Sequence, residues 1–281
     1  MEKTVAEQQT RAFRMSLELD ASPDEVWRAL TEEKELTRWF PPAARVTPGE
    51  GGTMLWSWGH GEDWETRIDA WEPGRRLRLV HDNARPYDTQ GNPLPSGEVE
   101  PARIAVEFTL ETHQGKTRLR LVHSGFGHGA AWDAEVEGIS EGWQAELRSL
   151  RHYLRRHPGR DRKWARGLVT TTVTRDAAWA RLLGPDGYRV TPAAPKDAEQ
   201  YEVITPDGRR YTGMVELNLP GQTLAGTVRE LDDGWFRLLT WKDARGNTGV
   251  WAWLAAYIDD PAPVQSFGAE AQRTLEKLFP V

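Results

Sequence analysis

The side chains able to do chemistry are few and scattered. Seven histidines stand in a chain of 281 residues that has no cysteine. Without thiols there are no disulfides, thiolate metal sites, iron–sulfur clusters or cysteine nucleophile. His60-Gly61-Glu62-Asp63-Trp64 sets an imidazole beside two carboxylates, the groups of general acid–base catalysis. Gly-Glu-Asp is also an ordinary turn, and a turn is the expectation here. His123 and His128, with Asp133 and Glu135 beyond, lack the tight spacing of metal ligands. The chain contains neither a Gly-x-Ser-x-Gly elbow nor a phosphate loop nor a dinucleotide fingerprint. No catalytic set, metal or cofactor is therefore expected, and binding is favoured over catalysis.

What the chain does hold is indole: 14 Trp against 7 Phe and 6 Tyr. Trp56, Trp58, Trp64 and Trp143 can line a pocket and orient a ligand with their N–H groups, or they can simply fill a core. His81 and His123 share parity with the leucines of their strands, so both are expected to face inward. They form either a polar pair in an apolar hollow or two strand-end histidines satisfied locally. With Phe108, Phe126 and Leu147, these residues are the candidate ligand-binding set.

Residues 12–20 alternate, with Phe13, Met15, Leu17 and Leu19 on one face, which predicts a half-buried antiparallel strand. The nine residues at the start are polar and expected to be frayed. Ser22-Pro23-Asp24-Glu25 supplies a helix N-cap, a first-turn proline and early acids. A second short helix, Glu33 to Phe40, stops at Pro41-Pro42. Strands and turns follow from Gly51 to Ser124, broken by a long loop from Arg85 to Pro101. The glycines of Gly125 to Gly129 turn the chain into a long helix striped with Ile139, Trp143, Leu147, Leu150 and Leu154. The order then repeats. A strand is read from Leu168 to Thr174, and Arg175 to Leu182 echoes Pro23 to Leu30. Further strands are read at Tyr201–Thr205, Tyr211–Leu219, Leu224–Leu231, Trp235–Trp241 and Gly249–Ile258, and a closing helix carries Val264, Phe267, Ala271, Leu275 and Leu278. This is a diverged internal duplication of an α+β unit, a meander of strands covered by one long helix.

Several segments resemble the helix-grip superfamily of START domains and birch-pollen-allergen proteins (SRPBCC). They are similar, within it, to the activator of heat-shock-protein-90 ATPase homologue-like family. The carriers are Ser22 to Leu30, Leu36-Thr37-Arg38-Trp39-Phe40, Gly49 to Gly52, Trp71 to Leu77, Thr117 to Phe126 and Gly142 to Leu147. The resemblance spans most of Phe13 to His157; the second half shares element order, Trp179 and Pro206-Asp207-Gly208. It implies tandem helix-grip domains, 12–157 and 168–281, each a curved antiparallel sheet wrapped on its C-terminal helix. It also implies a cavity between sheet and helix of the first domain that holds an apolar small molecule, with a stress-related role. A co-chaperone-like activator of heat shock protein 90 is the alternative partner reading, and an enzyme using the same cavity is a third. The family's eukaryotic activator carries a separate N-terminal chaperone-binding domain, and the residues before Phe13 are too few for one.

The remaining signals set limits. Net charge is −6, so no nucleic-acid partner is expected. Eight basic residues and one acid from Arg148 to Arg166 read as a helix C-terminus and a solvated linker. No apolar run reaches the ~18 residues of a membrane helix, and the start has no signal-peptide core. No membrane partner and a cytoplasmic location are the expectations, as monomer or homodimer. The second domain is expected to be structural, with Trp251 remote from the ligand.

Overall fold

The computed structural model describes residues 11–59 and 63–280. His60, Glu62 and the opening nine residues lie outside the described residues, and with them the acid–base loop and the frayed start.

The chain opens with β1 (Ala12–Leu19) and α1 (Pro23–Thr31). Ser22 Oγ accepts from the Glu25 N–H at 3.3 Å, and Glu25 Oε2 accepts from the Ser22 N–H at 2.8 Å, a reciprocal cap that fixes where α1 begins. After α2 (Glu33–Trp39) come six strands: β2 (Ala43–Thr47), β3 (Thr53–Ser57), β4 (Asp63–Glu72), β5 (Arg76–Ala84), β6 (Ala102–His113) and β7 (Lys116–Ser124). They form one antiparallel sheet with β1, ordered β1-β7-β6-β5-β4-β3-β2. At the exit from β7, Gly125 has φ +89°, and a Cβ there would lie 2.2 Å from the Arg103 carbonyl oxygen. Only glycine lets the chain turn there into α3 (Ala130–Arg156). The inner stripe of α3 buries Trp143, Leu147 and Leu150 against Leu79, Phe108 and Leu121 of the sheet.

The second half is β8 (Lys163–Thr171), α4 (Arg175–Leu182), β9 (Arg189–Thr191), β10 (Gln200–Ile204), β11 (Arg210–Leu219), β12 (Thr223–Val228), β13 (Gly234–Lys242), β14 (Thr248–Ala256) and α5 (Ala262–Leu278). Its sheet is ordered β8-β14-β13-β12-β11-β10-β9, the same path as the first. In both, the opening strand pairs with the last, and the closing helix covers the apolar face. These are tandem α+β helix-grip units. The second has one short helix where the first has two.

Several segments differ from the sequence reading: β2 and β9 are absent from it, and the strand expected over Leu224–Leu231 ends at Val228, where Arg229–Leu231 form a 3-10 turn. β8 starts at Lys163, not Leu168, because Trp164, Ala165, Arg166 and Gly167 pair with Ala255, Leu254, Trp253 and Ala252 of β14. The basic run is a clamp and not a solvated linker. Arg151 pairs with Glu216 at 2.8 Å, Arg160 pairs with Asp232, Arg162 donates to the Phe40 carbonyl at 3.1 Å, and Arg166 to the Trp58 carbonyl at 3.2 Å.

The clamp holds the outer face of α3 on the second sheet. Ala145 of α3 shares a core with Leu217, Ala225, Trp235, Trp253 and Ala255. On the sheet's other face, Phe236, Leu238, Val250, Ala252 and Leu254 pack with Val264, Phe267, Ala271 and Leu275 of α5. β13 and β14 are thus covered on both sides, which is why their sequences are nearly unbroken apolar runs. Among the described residues, no helix is long and apolar enough to cross a membrane.

Candidate functional site

The site is built around Trp143 of α3 and His123 of β7. The Trp143 Nε1–H donates to His123 Nδ1 at 3.0 Å. An indole can only donate, so Nδ1 accepts and the neutral imidazole carries its proton on Nε2. Burial pushes the His123 pKa down to about 3, which keeps the ring neutral. Its ring centroid lies 4.7 Å from Phe126 and 5.7 Å from Trp64. Trp64 in turn is 5.1 Å from Trp56. Phe40, at the end of α2, meets Trp56 at 4.9 Å, Trp58 at 5.3 Å and Trp143 at 5.3 Å. The end of α2, the β3–β4 hairpin, β7 and α3 thus converge on one aromatic box.

Beside this box runs a cavity of about 340 Å³. Phe40, Trp56, Trp58, Trp64, His123 and Trp143 form its first-domain wall, Gly138, Ile139 and Gly142 of α3 its floor, and Leu168, Leu239, Trp241 and Trp251 its second-domain wall. The two floor glycines are four residues apart on one helix face. A Cβ at either would find no atom within 4 Å, so glycine here keeps the cavity open. Tyr87 to Thr89 and Gly91, from the long loop, form a rim. The Thr89 N–H donates to Asp243 Oδ2 at 3.0 Å, and the Ala244 N–H to the Tyr87 carbonyl at 3.1 Å, which ties this rim to the β13–β14 turn.

Charged groups line the cavity from both domains: Glu135, Glu141 and Glu146 on α3, Asp63 and Asp88 nearby, and Arg166, Arg237, Lys242 and Asp243 across from them. Glu146 accepts from Arg237 at 2.9 Å, and Arg175 pairs with both Glu141 and Glu137. Burial raises the pKa of Glu141 and of Glu146, and the facing guanidinium groups oppose that rise. Glu135, in the cavity wall, accepts from the Tyr87 N–H at 3.3 Å, and desolvation pushes its pKa up to about 7. Three ring nitrogens of the cavity walls have no hydrogen-bond partner among the described residues: Nε2 of His123 and Nε1 of Trp56 on the first-domain wall, and Nε1 of Trp251 on the second. An unmet buried donor costs about 1–3 kcal/mol.

Of the nine candidate residues, the structure brings Trp56, Trp58, Trp64, His123 and Trp143 to the cavity. Phe108 lies behind it, edge-on to Trp143 at 5.6 Å. Phe126 backs His123 and packs with Trp132 in a neighbouring cluster. Leu147 is wholly buried in the core beneath α3. His81 is half-buried, 6.0 Å from Trp64, with burial lowering its pKa. Trp251, expected to be remote, forms part of the far wall instead, because the outer face of the second sheet packs on α3. Sequence reasoning missed this whole wall and the glycine floor. The doubly apolar runs of β13 and β14 were the available signal.

Comparisons with known proteins agree on the first half. Residues 20–155 match the family described as "Activator of Hsp90 ATPase homolog 1-like protein". No curated protein matches the chain. A crystal structure of a protein from Mesorhizobium loti is 24% identical, covering 52% of this chain and 97% of its own, at a TM-score of 0.42. The Aha1 dimer from Colwellia psychrerythraea is 20% identical over 51% of this chain and 96% of its own, TM-score 0.41. DynU16, from the dynemicin biosynthetic locus, is 19% identical over 95% of this chain and 97% of its own, TM-score 0.41.

Proposed function

We propose, from the premise that residues 20–155 belong to the Activator of Hsp90 ATPase homolog 1-like family, that the cavity shared by the two domains binds an apolar small molecule. One observation carries this reading: a volume of about 340 Å³ walled by indoles and floored by two glycines in mid-helix. Small-molecule sites span roughly 300–1,000 Å³ and are mostly apolar with a few placed polar groups. Glycine inside a helix costs about 0.5–1 kcal/mol relative to alanine, and two of them facing one hollow exchange helix stability for room. The second domain is then half of the binding site, and not a passive partner.

The neutral fluorescent probe 1-aminoanthracene tests this. It is expected to bind the full chain and to quench tryptophan emission. Gly138→Leu with Gly142→Leu fills the floor, and binding is expected to weaken by about tenfold or more, since one buried leucine side chain displaces several methylene contacts. The melting temperature of that variant is expected to hold or rise, because leucine is the better helix former. Probe binding unchanged by the double substitution sinks the reading. The family's description makes Hsp90 the competing partner, and a pull-down with Hsp90 from the probe-binding and floor-filled forms separates the two roles.

A further inference from the structure

The first-domain wall of the cavity holds two N–H groups with one property in common, which Trp251 Nε1 on the opposite wall shares. His123 Nδ1 is occupied by the Trp143 indole at 3.0 Å, so Nε2 of the neutral ring is a donor. Trp56 has only its Nε1–H to offer. Both residues belong to the cavity wall and each is 2% exposed. Neither donor has a partner among the described residues, and the Trp64 ring packs against both, 5.1 Å from Trp56 and 5.7 Å from His123 between centroids. An apolar ligand without polar atoms would leave both donors buried and unmet. A ligand offering only donors would meet none of the cavity's unpartnered N–H groups and could serve only Glu141 Oε1 on the α3 side.

Resting on the reading that this cavity binds an apolar molecule, we infer that its ligand is a neutral aromatic compound carrying a hydrogen-bond acceptor, of the aryl ketone or quinone class. Its oxygen is received by His123 Nε2–H and Trp56 Nε1–H. The aromatic body follows from the wall: indole faces and edges favour offset and edge-on ring contacts, and the glycine floor lets a ring approach the helix backbone. Neutrality follows from how the cavity's cations are placed: Arg237 is paired with Glu146, Arg166 donates to the Trp58 carbonyl, Lys242 is exposed, and burial keeps the His123 imidazole uncharged, so no cation at this end is set to pair with a carboxylate. Trp143 is then a positioning residue, since its N–H sets the tautomer that turns the donor of His123 outward.

Fluorenone and fluorene share one three-ring frame and differ by a carbonyl in place of a methylene, so their affinity ratio isolates the acceptor. In calorimetric titrations of the full chain, fluorenone is expected to bind about fivefold more tightly than fluorene, the size of one to two neutral hydrogen bonds. Trp56→Phe and His123→Phe, which keep a ring but remove the donor, are each expected to cut that ratio about threefold while fluorene binding stays within about twofold. The infrared carbonyl band of bound fluorenone is expected below its position in hexane, and to move back in either variant. Should His123→Phe fail to fold, Trp56→Phe and the infrared band still decide. Fluorene bound as tightly as fluorenone by the wild type overturns the donor assignment and leaves the cavity reading standing. Tighter binding of fluorene-9-carboxylate than of fluorenone overturns the neutral class. Binding of none of these overturns the cavity reading and this inference with it.

Discussion

Glu135 and His123 stand in walls of the same cavity, and the same loss of solvent moves their pKa values in opposite directions. His123 is pushed down to about 3, so the unfolded chain takes up a proton below the ordinary value of 6.5 while the folded chain does not. Its contribution to stability is present above that ordinary value and declines as pH falls towards 3. Glu135 is pushed up to about 7 from 4.5, so the folded chain holds its proton where the unfolded chain has lost it. That contribution is full below 4.5 and is lost as pH rises through 7. Glu135→Gln removes the titration and keeps an acceptor for the Tyr87 N–H. The variant is expected to gain melting temperature relative to wild type between about pH 5 and about pH 8. Parallel melting curves across that range would mean that Glu135 is solvated as an ordinary surface carboxylate. Strand parity gave His81 and His123 the same inward direction in the sequence, and the structure separates them for a local reason. The β5–β6 register shifts between His81 and Ala84, which leaves His81 half-buried at an irregular strand end, whereas His123 sits in unbroken β7 pairing.

Helix α3 is the element on which the site depends, and only one of its faces was readable. The stripe from Ile139 to Leu154 marked the side against the first sheet, because apolar periodicity reports burial in an apolar layer. The opposite side carries Glu141, Glu146, Arg148 and His152, which in a sequence look like a solvated face. They contact the second domain because its sheet offers matching partners: Arg175 for Glu141, Arg237 for Glu146, Asp197 for Arg148, and the Asp233 carbonyl for His152 at 2.6 Å. Polar burial of this kind has no periodic signature, so it stays hidden until both partners are placed. Gly138 and Gly142 were likewise legible only as helix weaknesses. Gly142→Ala alone is expected to stabilise the protein by about 0.5–1 kcal/mol in chemical denaturation, since nothing obstructs its Cβ. A destabilised variant would show instead that the backbone at Gly142 packs closely against something the geometry leaves open.

At the scale of the molecule, the repeated order of elements was legible because each copy obeys the same rule: an apolar sheet face and an apolar helix stripe cover each other. The docking of one copy on the other was not, because it joins the polar face of α3 to a sheet face that mixes indoles with arginine. That joint places the cavity between domains, and its most enclosed ion pair is Arg175 with Glu141, whose side chains are 7% and 5% exposed. Arg175 also donates to the Thr240 carbonyl at 2.6 Å and pairs with Glu137 at 2.9 Å, so one guanidinium links α4, β13 and α3. Removing one member of such a pair strands a buried charge and costs about 3–5 kcal/mol, whereas replacing both by apolar groups of similar volume is often close to neutral. Arg175→Met is therefore expected to lower the denaturation midpoint strongly and to weaken 1-aminoanthracene binding, as the second-domain wall loosens from α3. Adding Glu141→Leu to it is expected to restore most of the stability and most of the binding, because no buried charge is then left unpaired and Leu239 and Trp241, which line the cavity with Glu141, offer apolar neighbours. If the single substitution costs less than about 1 kcal/mol, or if the double variant is no better than the single, the domains are held together by their apolar contacts and basic clamp, and the Arg175–Glu141 pair only fills the space between them.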